Sequence, residues 1–252
     1  MSALTGETHY ARLKNLMTRL RNECPWDSQQ TFESISKYTI EEAYEVADAI
    51  EQGDKQALRE ELGDLLFQVI FYAKMAEEED AFDLDDVIDT LVDKMVRRHP
   101  HVFGDQKVGS VPENWEKLKE RERVEKGQTS VLDGVALGLP ALMRAEKLQK
   151  RAAKVGFDWP NLDGVWDKLD EELTEVKEAI ATGDKAAIED EIGDVLFSVV
   201  NLARKLKIDP EVALRNANKK FTTRFKGVEE KAGGDVGRYS LEELEAFWKA
   251  VK

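Results

Sequence analysis

Apolar positions along this chain recur with the spacing of helices. Leu62, Leu65, Leu66, Val69, Ile70 and Ala73 fall at i, i+3, i+4, i+7, i+8 and i+11, which is one face of a 3.6-residue repeat. Ile192, Val195, Leu196, Val199, Val200 and Ala203 reproduce the pattern further on. No segment alternates convincingly in the manner of a strand. Start signals agree: Asp209-Pro210 places an N-cap before a proline at the first helical position, and Ser240-Leu241-Glu242-Glu243 is a capping-box pattern. The pattern predicts helices over 8–21, 32–50, 56–78 and 84–98, then over 142–154, 165–181, 187–206 and 210–226, with terminal helices near 113–124 and 241–251. Gly233 to Gly237 reads as a loop between helices, since its glycines match no phosphate-loop spacing. The expected fold class is all-α, packed as helical bundles.

Sliding the chain by 130 residues exposes a duplication. Between 41–73 and 171–203, 17 of 33 positions are identical without a gap. Glu41-Glu42 lies over Glu171-Glu172, Gly53-Asp54-Lys55 over Gly183-Asp184-Lys185, and Glu61-Leu62-Gly63-Asp64 over Glu191-Ile192-Gly193-Asp194. One repeated helical unit per half accounts for this. Gly127-Gln128-Thr129-Ser130 breaks the helical pattern, so the expected domains are 1–127 and 128–252.

Bulk composition narrows the function classes. Apolar residues make up 42% of the 252, enough for a packed core, and charged residues 35%. No apolar run approaches the roughly 18–20 residues of a membrane span. Met1 to Tyr10 shows no basic region followed by an apolar stretch, so no signal peptide is expected. A single cysteine, Cys24, excludes an internal disulfide and fits a reducing cytoplasm. The net charge of −14 repels nucleic-acid backbones and anionic membranes, and neither is expected as a partner. An acidic protein binds an anion only where a metal ion or a basic cluster inverts the local field.

The acids supply such a place. Glu42 and Glu45 stand three apart on one helix, and Glu61 and Asp64 three apart on the next, so each pair occupies one helix surface. Both pairs lie at the edge of their apolar stripes, where a helical hairpin can bring them together. Four converging carboxylates repel unless a cation joins them, and an all-oxygen ligand set favours Mg²⁺, with Mn²⁺ as a substitute. Glu172, Glu175, Glu191 and Asp194 repeat the arrangement. Solvated acidic faces are the ordinary alternative. Against it, exposed neighbours diverged between the copies (Arg59 against Glu189, Glu51 against Ala181) while all four acids stayed. A di-iron bundle needs Glu-x-x-His pairs, and the fourth position here is aspartate in both copies. His99 and His101, which flank Pro100, read as residues of a helix C-terminus and loop.

Cations and aromatics accompany the acids. Lys94 and Arg98, and likewise Lys220 and Arg224, present two positive groups one turn apart. They either grip phosphate oxygens or stabilise a helix C-terminus. Trp248, with Trp115 as its counterpart, either stacks on a base or packs in the core. Pro25-Trp26-Asp27 and Phe157-Asp158-Trp159 read as helix entries with a capping Asp, or as the wall of a base pocket.

These elements together resemble the MazG family of nucleoside triphosphate pyrophosphohydrolases. The resemblance rests on Cys24-Pro25-Trp26-Asp27, Glu41-Glu42 to Glu45, Glu61-Leu62-Gly63-Asp64, Arg97-Arg98-His99-Pro100-His101-Val102-Phe103, Asn114-Trp115-Glu116, Gly156-Phe157-Asp158-Trp159 and Lys219-Lys220-Phe221. It covers nearly the whole chain. It implies tandem helical domains, a homodimer, and Mg²⁺-dependent hydrolysis between the α- and β-phosphates with broad base specificity. The C-terminal domain would be the main catalytic unit. Carried over by position, Glu172, Glu175, Glu191 and Asp194 would bind metal, Lys168, Lys220 and Arg224 would contact phosphates, and Trp248 would contact the nucleotide. Glu171 or Glu172 would orient or deprotonate the attacking water. The chain departs from the family pattern in having no basic residue over 187–190, Lys185 being the nearest. Tyr38 stands where Lys168 aligns, with Lys37 adjacent. Two readings from other classes compete: a non-catalytic helical binding module, and a related helical enzyme specific for dUTP or dCTP.

Overall fold

The computed structural model describes residues 8–104, 127 and 129–251. Two compact units result, Met1–Leu118 and Lys119–Lys252. The helix expected near 113–124, and Trp115 with it, lies outside the described residues. In the first unit the helices are α1 (His9–Glu23), α2 (Phe32–Gln52), α3 (Lys55–Glu78), α4 (Leu84–Arg98) and the short α5 (Pro100–Phe103). In the second they are α6 (Ala141–Lys154), α7 (Asp163–Thr182), α8 (Lys185–Lys205), α9 (Pro210–Lys231) and α10 (Leu241–Ala250). Among the described residues there is no strand, so the all-α expectation holds.

The caps explain most boundaries. Asp209 accepts from the Val212 amide with Pro210 behind it, and Ser240 and Glu243 close a reciprocal capping box. The aspartates of the two Trp-Asp and Asp-Trp segments do not cap, contrary to one of the two readings of those segments. Thr31 caps α2 together with Ser34, and α7 begins after Leu162 without a side-chain cap. Asp27, itself buried, instead opens a 3₁₀ turn, Asp27–Gln29, and Asp158 is drawn into ion pairs. α9 extends to Lys231, beyond the expected end, because Val228 continues its buried face.

The connections of two hairpins place the acids. Gly53 ends α2 with φ +71°, and Asp54 at once accepts from the amides of Gln56 and Ala57. Gly183 ends α7 with φ +74°, and Asp184 accepts from the Ala186 amide. A left-handed glycine followed by a capping aspartate reverses the chain in two residues. α2 then packs along α3, and α7 along α8, as the most extensive helix pairs. That reversal also starts α3 and α8 one or two residues earlier than periodicity alone suggests.

In the first unit Met17, Ile35, Ile70, Phe71 and Leu84 form the core, with α1 and α4 packed on α3. In the second, Val165, Val200 and Val228 are buried, and α6 and α9 pack on α8. Only half of each apolar stripe faces inward. Ile70 and Ala73 are buried, whereas Leu62, Leu66 and Val69 remain 50%, 46% and 40% exposed. Ile192, Leu196 and Val199 repeat that exposed row in the second unit. The stripe is wider than one neighbouring helix covers.

Gly183 tests the reversal. Gly183→Ala, forced to positive φ, is expected to cost about 1–2 kcal/mol, and Gly183→Asn, which tolerates that region, distinctly less. Urea unfolding measures both, and equal losses would contradict this account of the turn.

Candidate active site

Glu172 and Glu175 project from α7, one turn apart, and Glu191 from the start of α8. One carboxylate oxygen from each lies within 4.8 Å of the other two. Glu172 is the innermost, only 3% exposed. Its Oε1 takes an ion pair from Lys168 Nζ at 2.8 Å, and its Oε2 is buried with no hydrogen-bond partner. Lys168 also donates to Glu171 Oε1 at 2.7 Å. The Glu171 and Glu172 hydrogen bonds hold the Lys168 ammonium well above its usual range. Burial, then the neighbouring acids, pushes the carboxyls of Glu175 and Glu191 up. Three carboxylates held together, one of them with a buried unpartnered oxygen, are short of positive charge. Every donor is oxygen, the set that would suit a hard divalent cation.

Asp194 is exposed and outside the trio, although its charge contributes to raising Glu191. It lines the neighbouring cavity beside Lys168 and Glu172. The first unit repeats the geometry in part: oxygens of Glu42, Glu45 and Glu61 lie within 4.8 Å of one another. Burial and the charge of Asp64 push the Glu42 carboxyl up. Tyr38 replaces the lysine, its ring 6.3 Å from Trp26 and capped by Lys37 at 4.7 Å. Among the described residues no cation pairs with Glu42.

A cavity of about 790 Å³ adjoins the Glu172 trio. Sequence reasoning missed the polar side chains of its wall, Gln149, Ser198 and Asn201. A signal for Asn201 existed: Phe71 occupies the matching position in the first copy, and both are buried. Phe157 and Trp159 also line this space, so the base-pocket alternative for that segment fits their position. Asp158 anchors the segment through Arg204 Nη2 at 2.6 Å and Lys205 Nζ at 2.9 Å. Lys205 also donates to the Trp159 carbonyl.

Lys220, Arg224 and Trp248 do not join this wall. They gather on α9 and α10, where the Trp248 ring sits 5.4 Å from Phe221 and the Arg224 guanidinium 5.9 Å from Trp248. Lys220 is exposed and Arg224 half-buried. Lys94, on α4, is half-buried. His99 caps α4, and its Nδ1 lies 2.6 Å from the Met95 carbonyl, in keeping with a helix-end role.

These features define a class: an all-α protein built from two copies of a helical hairpin, each gathering carboxylates suited to a hard cation. The MazG nucleotide pyrophosphohydrolase domain model matches residues 30–103 and again 164–229. A nucleoside triphosphate pyrophosphohydrolase of Escherichia coli strain K12 is 49% identical over 96% of each chain. The nucleoside triphosphate pyrophosphohydrolase/pyrophosphatase MazG of Thermotoga maritima is 44% identical over 96% of this chain and 95% of its own. A nucleoside triphosphate pyrophosphohydrolase of Mycobacterium tuberculosis is 43% identical over 56% of this chain and 44% of its own. The chain belongs to the MazG nucleotide pyrophosphohydrolase family.

Asp158 provides a pH test of the cavity's rim. Hydrogen bonds from Arg204, then Lys205, hold its carboxyl down to about 2. A depressed carboxyl stabilises the fold above its unfolded pKa, near 4, and the contribution disappears as pH falls toward 2. Asp158→Asn is expected to lose about 1 kcal/mol at neutral pH, allowing for solvent screening. The difference from the parent chain should shrink between pH 6 and pH 3 in urea unfolding. A constant difference would show that the ion pairs contribute nothing through charge.

Proposed function

We propose that this chain hydrolyses nucleoside triphosphates to the monophosphate and pyrophosphate, with Mg²⁺ as cofactor (Mn²⁺ as substitute) and broad tolerance of the base. The observation that carries the reading is Glu172: buried, one oxygen on Lys168, the other unpartnered, and within 4.8 Å of Glu175 and Glu191. The names of the E. coli and T. maritima relatives support the same activity.

Glu172, Glu175 and Glu191, with Asp194 beside them, would hold the metal. When bound, a divalent cation supplies positive charge against the phosphate oxygens. The chain's own groups do the rest. Glu171 lies outside the trio but within Lys168's reach, and is the carboxylate left to orient water and accept its proton; Glu172 serves that role if it does not bind metal. The water oxygen bonds to the α-phosphorus, the bond to the α–β bridging oxygen breaks, and pyrophosphate leaves. Lys168 can exchange its carboxylates for a phosphate oxygen. Lys220 and Arg224 neutralise the leaving group, and Trp248 contacts the nucleotide.

The catalytic unit would be the second domain, with the division at 127/128. The first retains Glu42, Glu45, Glu61 and Asp64 as a metal set but has Tyr38 in place of the lysine. We also propose a homodimer, because the rows led by Leu62 and Ile192 stay open in the single chain and exposed apolar rows of this kind favour association. No helix is long and apolar enough to cross a membrane among the described residues, and a cytoplasmic location suits the single cysteine.

Phosphorus NMR of the reaction tests the chemistry. Pyrophosphate with the monophosphate is expected from ribo- and deoxy-triphosphates alike, and chelation should abolish it. Orthophosphate with the diphosphate would rule out attack at the α-position. Glu172→Gln and Glu175→Gln should each lower kcat by about 10²-fold or more, and undiminished turnover in both would favour the non-catalytic module. Activity on dUTP or dCTP alone would favour the narrow-specificity relative.

Light scattering after gel filtration tests the association. Twice the chain mass is expected for the parent protein, and Leu196→Glu should shift it toward one. A monomeric parent chain would contradict the dimer.

A further inference from the structure

Lys168 holds two carboxylates that differ in depth. Its Nζ pairs with Glu172 Oε1 at 2.8 Å and with Glu171 Oε1 at 2.7 Å. The Glu172 side chain is 5% exposed and the Glu171 side chain 56%. The lysine keeps 34% of its own side chain in solvent, so its stem has open space to move through. One ammonium thus joins the innermost acid of the trio to an acid at the surface.

Helix formation does not account for this lysine. A lysine four residues ahead of a glutamate is the weaker order for a helical ion pair. What the ammonium supplies is positive charge to the whole trio. Burial first, and then the neighbouring acids, raises the Glu175 and Glu191 carboxyls, and the Lys168 charge acts against the rise in both. The first unit offers a comparison. Its acids have the same spacing, but Tyr38 stands at the lysine's place, and Glu42 is only half-buried where Glu172 is buried. A carboxylate goes deep when a cation accompanies it.

That pairing conflicts with a divalent ion at the same carboxylate. Glu172 has one oxygen left to offer, the buried Oε2. A divalent ion there and an ammonium on Oε1 would be two like charges on one group, and they repel strongly where water is scarce. Glu171 gives Lys168 somewhere else to go, and a phosphate oxygen is a further acceptor within the same site.

We propose that Lys168 is the trio's own counter-ion, that it gives up Glu172 when a divalent cation binds, and that it is thereby released to take a phosphate oxygen. The inference rests on the pyrophosphohydrolase reading and adds an order of events to it. Lys168 opposes metal binding while it has no phosphate to move to and ceases to oppose it once a triphosphate is present. Metal and triphosphate are therefore coupled through one positioning residue.

The test measures metal binding without nucleotide. Mn²⁺ is titrated by calorimetry into the full chain and into Lys168→Met, both carrying Glu42→Gln so that the first trio does not contribute. Lys168→Met should bind Mn²⁺ about 5-fold more tightly, or better. Thermal unfolding reads the same linkage: Lys168→Met should melt below its parent in chelator, and the gap should close in saturating Mg²⁺. Equal Mn²⁺ affinity in the two chains, or an equal gap with and without Mg²⁺, would overturn the proposal. A crystal structure with Mg²⁺ and no nucleotide needs no variant, and it separates displacement from simple removal of charge. The Lys168 ammonium should then lie off Glu172, on Glu171 or in solvent. An ammonium still hydrogen-bonded to Glu172 beside the bound ion would also overturn the proposal. Absence of Mn²⁺ binding in both chains would remove the metal-dependent reading together with this inference. Equal binding, with triphosphate hydrolysis by the parent chain intact, removes this inference alone.

Discussion

Mutual repulsion among Glu172, Glu175 and Glu191 is the constraint around which the second unit is organised. Helix geometry sets the first two side by side, and the Gly183-Asp184 reversal carries the third to within 4.8 Å. Burial first, and then the neighbouring acids, raises the carboxyls of Glu175 and Glu191, and like charges held this close oppose one another. Lys168 offsets part of the charge on one side of Glu172. The opposite oxygen stays buried and unpartnered. A protein keeps an arrangement of this kind where a bound cation and an anionic substrate complete it.

Duplication lets the chain serve as its own control. Both copies keep the reversal, the trio of acids and the exposed apolar row, so these belong to the shared fold. Two of the positions at which they differ bear on the site. The first unit has Tyr38 and Phe71, aromatic side chains packed around Phe32, Ile35 and Met17. The second has Lys168 and Asn201, and an open cavity in the same half of the bundle. Filling a core stabilises it, whereas opening one and lining it with amides costs stability. The first copy is thus a packed module and the second keeps an open cavity, from one hairpin design.

The rim of the cavity shows how a loop is held without regular structure. Residues 156–160 lack a helix, yet Asp158 is gripped by Arg204 and Lys205 from α8, and Lys205 reaches the Trp159 carbonyl as well. Gly164 allows the indole to lie against the start of α7, since a Cβ there would meet Trp159 Cδ1 at 2.2 Å. The segment that carries these aromatic rings is therefore positioned by charges and by one missing methyl group.

Periodicity and cap signals located the long helices described in both units, because a 3.6-residue repeat and its caps are written in neighbouring residues; the four-residue α5 was not among those expected. The internal repeat marked the eight acids, since two copies under the same demand retain the same charges. Other features depended on which groups meet across helices. Asp27 and Asp158 look like caps in sequence, but Thr31 sits nearer one helix and the cations of α8 claim the other aspartate. Half of each apolar stripe, assigned inward by its spacing, faces outward, because the width of a neighbouring helix is not encoded in the stripe itself. Gln149 and Asn201 are unremarkable polar residues until α6 is laid across α8. Local geometry determined the elements and the charge pattern; burial, which arises only from contacts between distant segments, was decided by the tertiary fold.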